Sequence, residues 1–179
     1  MRIIGGLYKG RRIKAIKGLQ TRPTLDMVRE SLFNIIGTKI IDCCFADLFA
    51  GTGAVGLEAL SRGARFATFV EKNAHACNVI KQNIKLLEVQ DKCFVAKGDV
   101  INQIKKMDSQ GHSFDIIFMD PPYNQGKIMP CLIFLQKSKL LKNDAWVIIQ
   151  HSIDEELFFH EFTCFKQKKY GTTLLSFLK

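Results

Sequence analysis

No apolar run in this sequence approaches the length of a membrane span, and the N-terminus lacks the apolar core of a secretory signal. Cytoplasmic residence with no membrane partner is the expectation. None of the six cysteines, at 43, 44, 77, 93, 131 and 164, forms a C-x-x-C pair. Reduced, buried thiols are therefore expected rather than a disulfide framework. The four histidines, at 75, 112, 151 and 160, have no metal-ligand spacing, so no metal is expected. Internal repeats and low-complexity segments are absent as well. The sharpest absence is local: residues 1 to 22 contain no acidic side chain.

That acid-free stretch holds Arg2, Lys9, Arg11, Arg12, Lys14, Lys17 and Arg22. It accounts for much of the net charge of +9. A clustered basic arm is the electrostatic footprint of phosphate binding. A solvated surface that aids solubility is the plainer alternative. Arg2 to Gly6 reads as a short strand into a turn, and Arg11 to Ile16 as its return. Thr24 is placed to cap a helix with Asp26 in its first turn. Val28, Leu32, Ile35 and Ile36 give that helix one apolar face, and Gly37 ends it.

At 179 residues the chain is read as a single domain, with 1–37 a basic extension and 38–179 the catalytic core. From residue 43 strands and helices alternate, which argues a parallel sheet. The strand candidates are 43–49, 66–70, 93–97, 114–119 and 145–150, and the helix candidates 54–62, 73–87, 100–107 and 126–138. The end differs. Strand-like 162–168 and 172–178 flank Tyr170-Gly171, a spacing that predicts a hairpin and one antiparallel strand. A monomer is the expected state.

Asp120-Pro121-Pro122-Tyr123 follows the apolar run Phe114–Met119. Two prolines stop that strand sharply, because neither can donate to a ladder. A carboxylate, bare carbonyls and an aromatic ring are thereby set at a strand's C-terminal edge, where open α/β sheets bind ligands. An exocyclic amino group needs acceptors for two N–H bonds and a flat surface for its ring. Asp120 and the Pro121 carbonyl supply the first, and Tyr123 the second.

Upstream, Gly51, Gly53 and Gly56 match G-x-G-x-x-G in a strand–turn–helix setting. Glu71 ends the next strand, where a carboxylate can accept ribose hydroxyls. Asp47 lies four residues before Gly51, and Asp99 follows the third strand, within reach of an adenine amino group. Each acid alone reads as a helix cap or first-turn residue. Four in order, at successive strand ends, suit an adenosine, a cationic sulfonium and an amino-group substrate. They suit a pyrophosphate badly, so S-adenosylmethionine is favoured over NAD.

Asp47–Ala64 (DLFAGTGAVGLEALSRGA), Val70–Asn73 (VEKN), Phe114–Tyr123 (FDIIFMDPPY) and RIIGG…KGRRI at Arg2–Ile13 together resemble the RsmD family. Those proteins are bacterial 16S rRNA guanine-N2 methyltransferases. RPTLDMVRESLFNII (Arg22–Ile36) and KKYGTT (Lys168–Thr173) extend the resemblance over nearly the whole chain. It implies an α/β, Rossmann-like, seven-stranded methyltransferase sheet with one antiparallel strand, preceded by a short β-hairpin/helix extension. It also implies S-adenosylmethionine as donor and 16S rRNA, or the small ribosomal subunit, as partner. Asp47, Phe49, Gly51 and Gly53 would bound the methionine part of the cofactor. Glu71 and Lys72 would lie at the ribose, Asp99 and Val100 at the adenine, and Asp120 between cofactor and base. Asp120, Pro121, Pro122 and Tyr123 would hold the target guanine. One departure is Gln150, where the family often has glutamate. Alternatives are N6-adenine methylation of DNA or RNA, a silent nucleic-acid-binding protein on this fold, and a nicotinamide dehydrogenase.

Overall fold

The computed structural model describes residues 1–16 and 23–179. Seven strands make one sheet: β1 (Cys44–Leu48), β2 (Phe66–Glu71), β3 (Cys93–Lys97), β4 (Phe114–Met119), β5 (Leu141–Ser152), β6 (Cys164–Tyr170) and β7 (Thr173–Leu178). Their order is β3-β2-β1-β4-β5-β7-β6. The helices are α1 (Pro23–Ile36), α2 (Ala54–Ser61), α3 (Ala74–Leu87), α4 (Val100–Ser109) and α5 (Ile128–Lys137). β1 to β5 pair in parallel, and β7 runs antiparallel to both β5 and β6. Only Gly171 and Thr172 join β6 to β7, and so short a link can only turn the chain back. The expected α/β sheet with one antiparallel strand is thus the observed one. Among the described residues, no helix is long and apolar enough to cross a membrane.

Apolar residues fill both faces of the sheet, so the central strands are buried on both sides. One layer holds α1, α2 and α3, with Leu32, Leu57 and Ile80 packed on Phe45, Phe69 and Phe118. The other holds α4 and α5, with Ile104, Met107 and Leu132 packed on Leu48, Ile117 and Met119. Gly56 sets the first layer's spacing. A Cβ there would lie 2.4 Å from the Phe69 ring, so the third glycine of the motif lets α2 press onto β2. All six cysteines are free.

The N-terminal segment turns back on itself as expected, but its pairing is short. Among its described residues one antiparallel bridge joins Arg2 and Arg12, with Ile3 N donating to Arg11 O and Ile13 N to Met1 O, both at 3.1 Å. Others of its backbone groups are taken by the core. Glu58 of α2, fully buried, accepts from Ile4 N at 2.8 Å and Gly5 N at 2.7 Å. Tyr8 N donates to Ser61 Oγ at 2.9 Å, and Leu7 N to Ser61 O at 2.7 Å. Gly6 sits at φ +76, and a Cβ there would fall 1.8 Å from Ser61 O. Only glycine fits that approach. Asn83 of α3 then pairs with the backbone of Lys14, accepting from its N–H at 2.7 Å and donating to its carbonyl at 3.1 Å. Ile3 and Ile13 are buried in the core between these anchors. At the other end of the segment α1 begins at Pro23, so Thr24 lies within its first turn and not at the cap.

Glu58 is tolerated in the core because Arg62 Nε donates to it at 2.8 Å and Arg29 Nε lies 3.7 Å away. Glu58→Ala would strand those groups in apolar surroundings. The expected loss is about 3–5 kcal/mol of stability in urea unfolding, with residues 1–16 becoming open to limited proteolysis. Glu58→Gln keeps one acceptor oxygen and should lose less. An unchanged proteolysis pattern in Glu58→Ala would show that the segment is held by other means.

Candidate active site

Connections from β1 lead outward to β2 and β3, while those from β4 lead to β5 on the other side. The crevice between the ends of β1 and β4 is therefore the place where the sheet's winding reverses, the usual ligand site of such sheets. Leu48 pairs with Val70 and with Met119, and Met119 pairs with Ile149. One step further along, Phe49, Glu71, Asp120 and Gln150 stand side by side at that edge. Two cavities open there. The wider one, about 600 Å³, is lined by Glu71, Lys72, Asp99, Val100, Tyr123 and both prolines. The narrower one, about 190 Å³, is lined by Asp47, Gly51, Thr52 and Arg29. Phe49, Asp120 and Gln150 line both.

The glycine loop is shaped by backbone twist and two carboxylates. Phe49, Gly51 and Gly53 all have positive φ, at 67°, 55° and 77°. For a bulky aromatic that is a genuine strain, here held where Phe49 divides the two cavities. Asp47 Oδ2 accepts from Gly56 N at 2.9 Å. Burial raises the Asp47 carboxyl well above its ordinary range, the Gly56 bond opposes this, and the charges of Asp120 and Glu71 add to the rise. Glu71 accepts from Gly51 N at 2.9 Å and from Asn73 N at 2.7 Å. It therefore joins the loop to the start of α3 while still lining the wide cavity.

Asp99 is the N-cap of α4, accepting from Asn102 N at 3.3 Å. Its plain role as a cap and its place in the cavity wall coexist. Asp120 keeps an opening to the cavities but is otherwise enclosed. Burial pushes its carboxyl up to about 7, and the neighbouring Gln150 side chain pulls the other way. A glutamate at 150 would replace that side chain by a second negative charge. The Tyr123 ring is 38% exposed at the cavity mouth, and its hydroxyl lies 3.1 Å from Thr173 Oγ1 at the tip of the β6–β7 hairpin. The mouth of the wide cavity is thus tied to the β6–β7 end of the sheet.

The sequence reading missed Arg29. Its signal was present: Arg29 stands three, four and seven residues before the buried Leu32, Phe33 and Ile36, on the core-facing stripe of α1. It is only 6% exposed. Of the basic arm, Arg2, Lys9, Arg11, Arg12 and Lys14 are exposed. Two of them are partly engaged within the molecule. Arg11 Nη2 donates to Leu86 O at 2.5 Å, and Lys14 Nζ to Gln82 Oε1 at 2.8 Å. Lys17 and Arg22 lie outside the described residues. Among the described residues, no group of three His, Cys, Asp or Glu side chains is placed to hold a metal.

The residues present suit S-adenosylmethionine. The wide cavity offers the carboxylates of Glu71 and Asp99 as acceptors for hydroxyl and amino groups. The narrow one carries charges of both signs, Asp47 and Arg29, as a zwitterionic amino acid requires.

Comparison with known proteins agrees with this chemistry. The family model described as Conserved hypothetical protein 95 matches residues 1–179. Ribosomal RNA small subunit methyltransferase D of Haemophilus influenzae is 35% identical over 177 residues, 96% of this chain and 89% of that protein. The protein of the same name from Escherichia coli K12 is 32% identical over 157 residues, 88% of this chain and 77% of that protein. The solved structure of yhhF from Escherichia coli aligns at a TM-score of 0.88 with 29% identity, covering 99% of this chain and 96% of that one. A solved structure described as a hypothetical protein of Thermus thermophilus aligns at 0.85 with 28% identity, covering 100% and 99%. With its whole length matched by one family model, and a seven-stranded sheet whose crevice gathers Asp47, Glu71, Asp99 and Asp120, the chain belongs to the Conserved hypothetical protein 95 family, the RsmD family of methyltransferases.

Proposed function

We propose that this protein methylates the exocyclic N2 amino group of a guanine in 16S rRNA, with S-adenosylmethionine as donor. The observation that carries the reading is the juxtaposition at Asp120: a carboxylate, the Pro121 carbonyl and the Tyr123 ring share one cavity with Glu71 and Asp99. The names of the relatives point to small-subunit rRNA, and the guanine amino group suits the acceptors present. The adenosine of the donor would lie toward Glu71 and Asp99, and its methionine part toward Asp47 and Gly51.

When bound, the donor supplies an electrophilic methyl carbon on a positively charged sulfur. The work left to the protein is positioning and charge management. The guanine amino lone pair is delocalised into the ring and attacks poorly. Asp120 and the Pro121 carbonyl accept its two N–H bonds and turn the lone pair toward the methyl. Tyr123 stacks on the base, which must leave its helix or already be unpaired. Positive charge develops on the nitrogen as the new bond forms, and the Asp120 carboxylate stabilises it. A carboxyl at about 7 is also a competent base at neutral pH. Asp120 then takes the proton that the methylated nitrogen must lose.

Mass spectrometry of nucleosides from the rRNA of a deletion strain, with and without the gene restored, tests the reading. N2-methylguanosine should vanish and return. Loss of N6-methyladenosine instead would assign the enzyme to adenine.

Asp120 gives a pH prediction. Only its ionised form accepts both roles, so kcat/KM should rise with pH through about 7 and fall in acid. Asp120→Asn should cut turnover by about 10²–10³-fold, with cofactor affinity nearly unchanged, and abolish that inflection. A persisting inflection would assign it to another group. Tyr123→Phe loses only the bond to Thr173 and should keep much activity, whereas Tyr123→Ala should lose far more. Equal losses would contradict stacking.

The basic arm gives a salt prediction. Arg2, Lys9 and Arg12 point to solvent, while Arg11 and Lys14 are partly held by α3. Replacing the first three by alanine should reduce the log–log salt slope of RNA binding by roughly 0.9 for each phosphate no longer neutralised, with cofactor affinity unchanged. An unaltered slope and affinity would make the arm a solubility feature.

A further inference from the structure

The narrow cavity poses an electrostatic problem. Asp47 and Asp120 both line it, and Glu71 stands close enough to raise the Asp47 carboxyl further. Such a wall favours an ammonium group and repels a carboxylate. The amino-acid end of S-adenosylmethionine carries both. Its carboxylate therefore needs a counter-charge, or it would be desolvated beside fixed negative groups.

Arg29 is the one cationic side chain among the residues that line this cavity. It comes from α1, outside the glycine loop. Its guanidinium is anchored on one side: Nη2 donates to Arg2 O at 2.8 Å and to Asp26 Oδ1 at 3.0 Å. The Glu58 carboxylate lies 3.7 Å from Nε, outside hydrogen-bond reach, and Nε has no partner among the described residues. A buried guanidinium with five N–H donors would ordinarily be saturated by its neighbours. This one is 6% exposed and is not. It is anchored through Nη2 and lies against Glu58 through Nε, while the residue also lines the cavity and its Nη1 has no hydrogen-bond partner among the described residues. Its ion pairs with Asp26 and Glu58 leave it able to take a further anion from the cavity.

We propose that Arg29 binds the carboxylate of the cofactor's methionine moiety. The inference rests on the reading that the methionine end lies at Asp47 and Gly51. It divides the zwitterion between two elements: Asp47 on β1 faces the ammonium, and Arg29 on α1 faces the carboxylate. It also gives α1 a part in cofactor recognition. A ligand that lacks the carboxylate gains nothing from Arg29.

The test is calorimetric and needs no turnover. Wild type, Arg29→Met and Arg29→Lys are titrated with S-adenosylhomocysteine and with 5′-methylthioadenosine, which keeps the adenosine and sulfur but has no amino acid. Arg29→Met should weaken S-adenosylhomocysteine by about 10- to 100-fold, as for losing a charge-assisted pair, and leave 5′-methylthioadenosine unchanged. Arg29→Lys keeps the charge without the fork and should show a smaller loss with the same selectivity. Equal weakening of both ligands, or no weakening of S-adenosylhomocysteine, would overturn the proposal. If Arg29→Met fails to fold, the selectivity of Arg29→Lys decides in the same way. Wild type that binds neither ligand would instead sink the cofactor reading on which the inference rests.

Discussion

A buried carboxylate holds this molecule in its working arrangement. Glu58 lies on α2 directly behind the glycine loop, with no exposure to solvent. Its removal from water is tolerated only because two backbone N–H groups and two arginines surround it. The same contacts fix the N-terminal segment and α1 to α2, the helix that begins at Ala54. Asn83 adds a second tie, bonding the backbone of Lys14 and, at 3.0 Å, the carbonyl of Thr52 in the loop. The basic arm is therefore not an appendage. Its backbone is continuous, through hydrogen bonds, with the wall of the narrow cavity.

The site's chemistry is set by burial of carboxylates. Asp47, Glu71 and Asp120 meet where the sheet reverses its winding; burial is the main cause that raises the Asp47 and Asp120 carboxyls, and the charges of Asp120 and Glu71 add to the rise at Asp47. Their surroundings differ. Asp47 and Glu71 use their acceptors on loop N–H groups. Asp120 is pushed up to about 7 by burial, opposed by the neighbouring Gln150 side chain, so it is poised to gain or lose a proton near neutrality. Gln150, the departure from the family's glutamate, is the neighbour that moderates it.

How much was legible depended on which force governed each element. β3 and β4 fall where apolar runs bounded by turn residues put them. The β6–β7 hairpin was signalled by Tyr170-Gly171. The acids at the strand ends were visible because a parallel sheet brings successive ends to one edge. Three things were not. The arm pairs with itself only around Arg2 and Arg12, while Glu58, Ser61 and Asn83 capture other parts of its backbone, and nothing local announces that division. Glu71's dual role depends on a loop that folds back over it. Arg29 was overlooked because its stripe was read only for apolar residues, and a charge on a core-facing stripe was passed over.

The manner in which the arm is held bears on how its sequence can drift. Glu58 and Ser61 grip main-chain atoms of residues 4, 5, 7 and 8. Side chains there are left out of the bond, and Leu7 is 82% exposed. Substitution at Ile4, Leu7 or Lys9 thus leaves the main-chain anchor intact. Gly6 and Glu58 have no such freedom, because one admits no Cβ and the other serves two backbone donors and two arginines at once. The most permissive side chains of the arm thus sit directly on its least permissive contact.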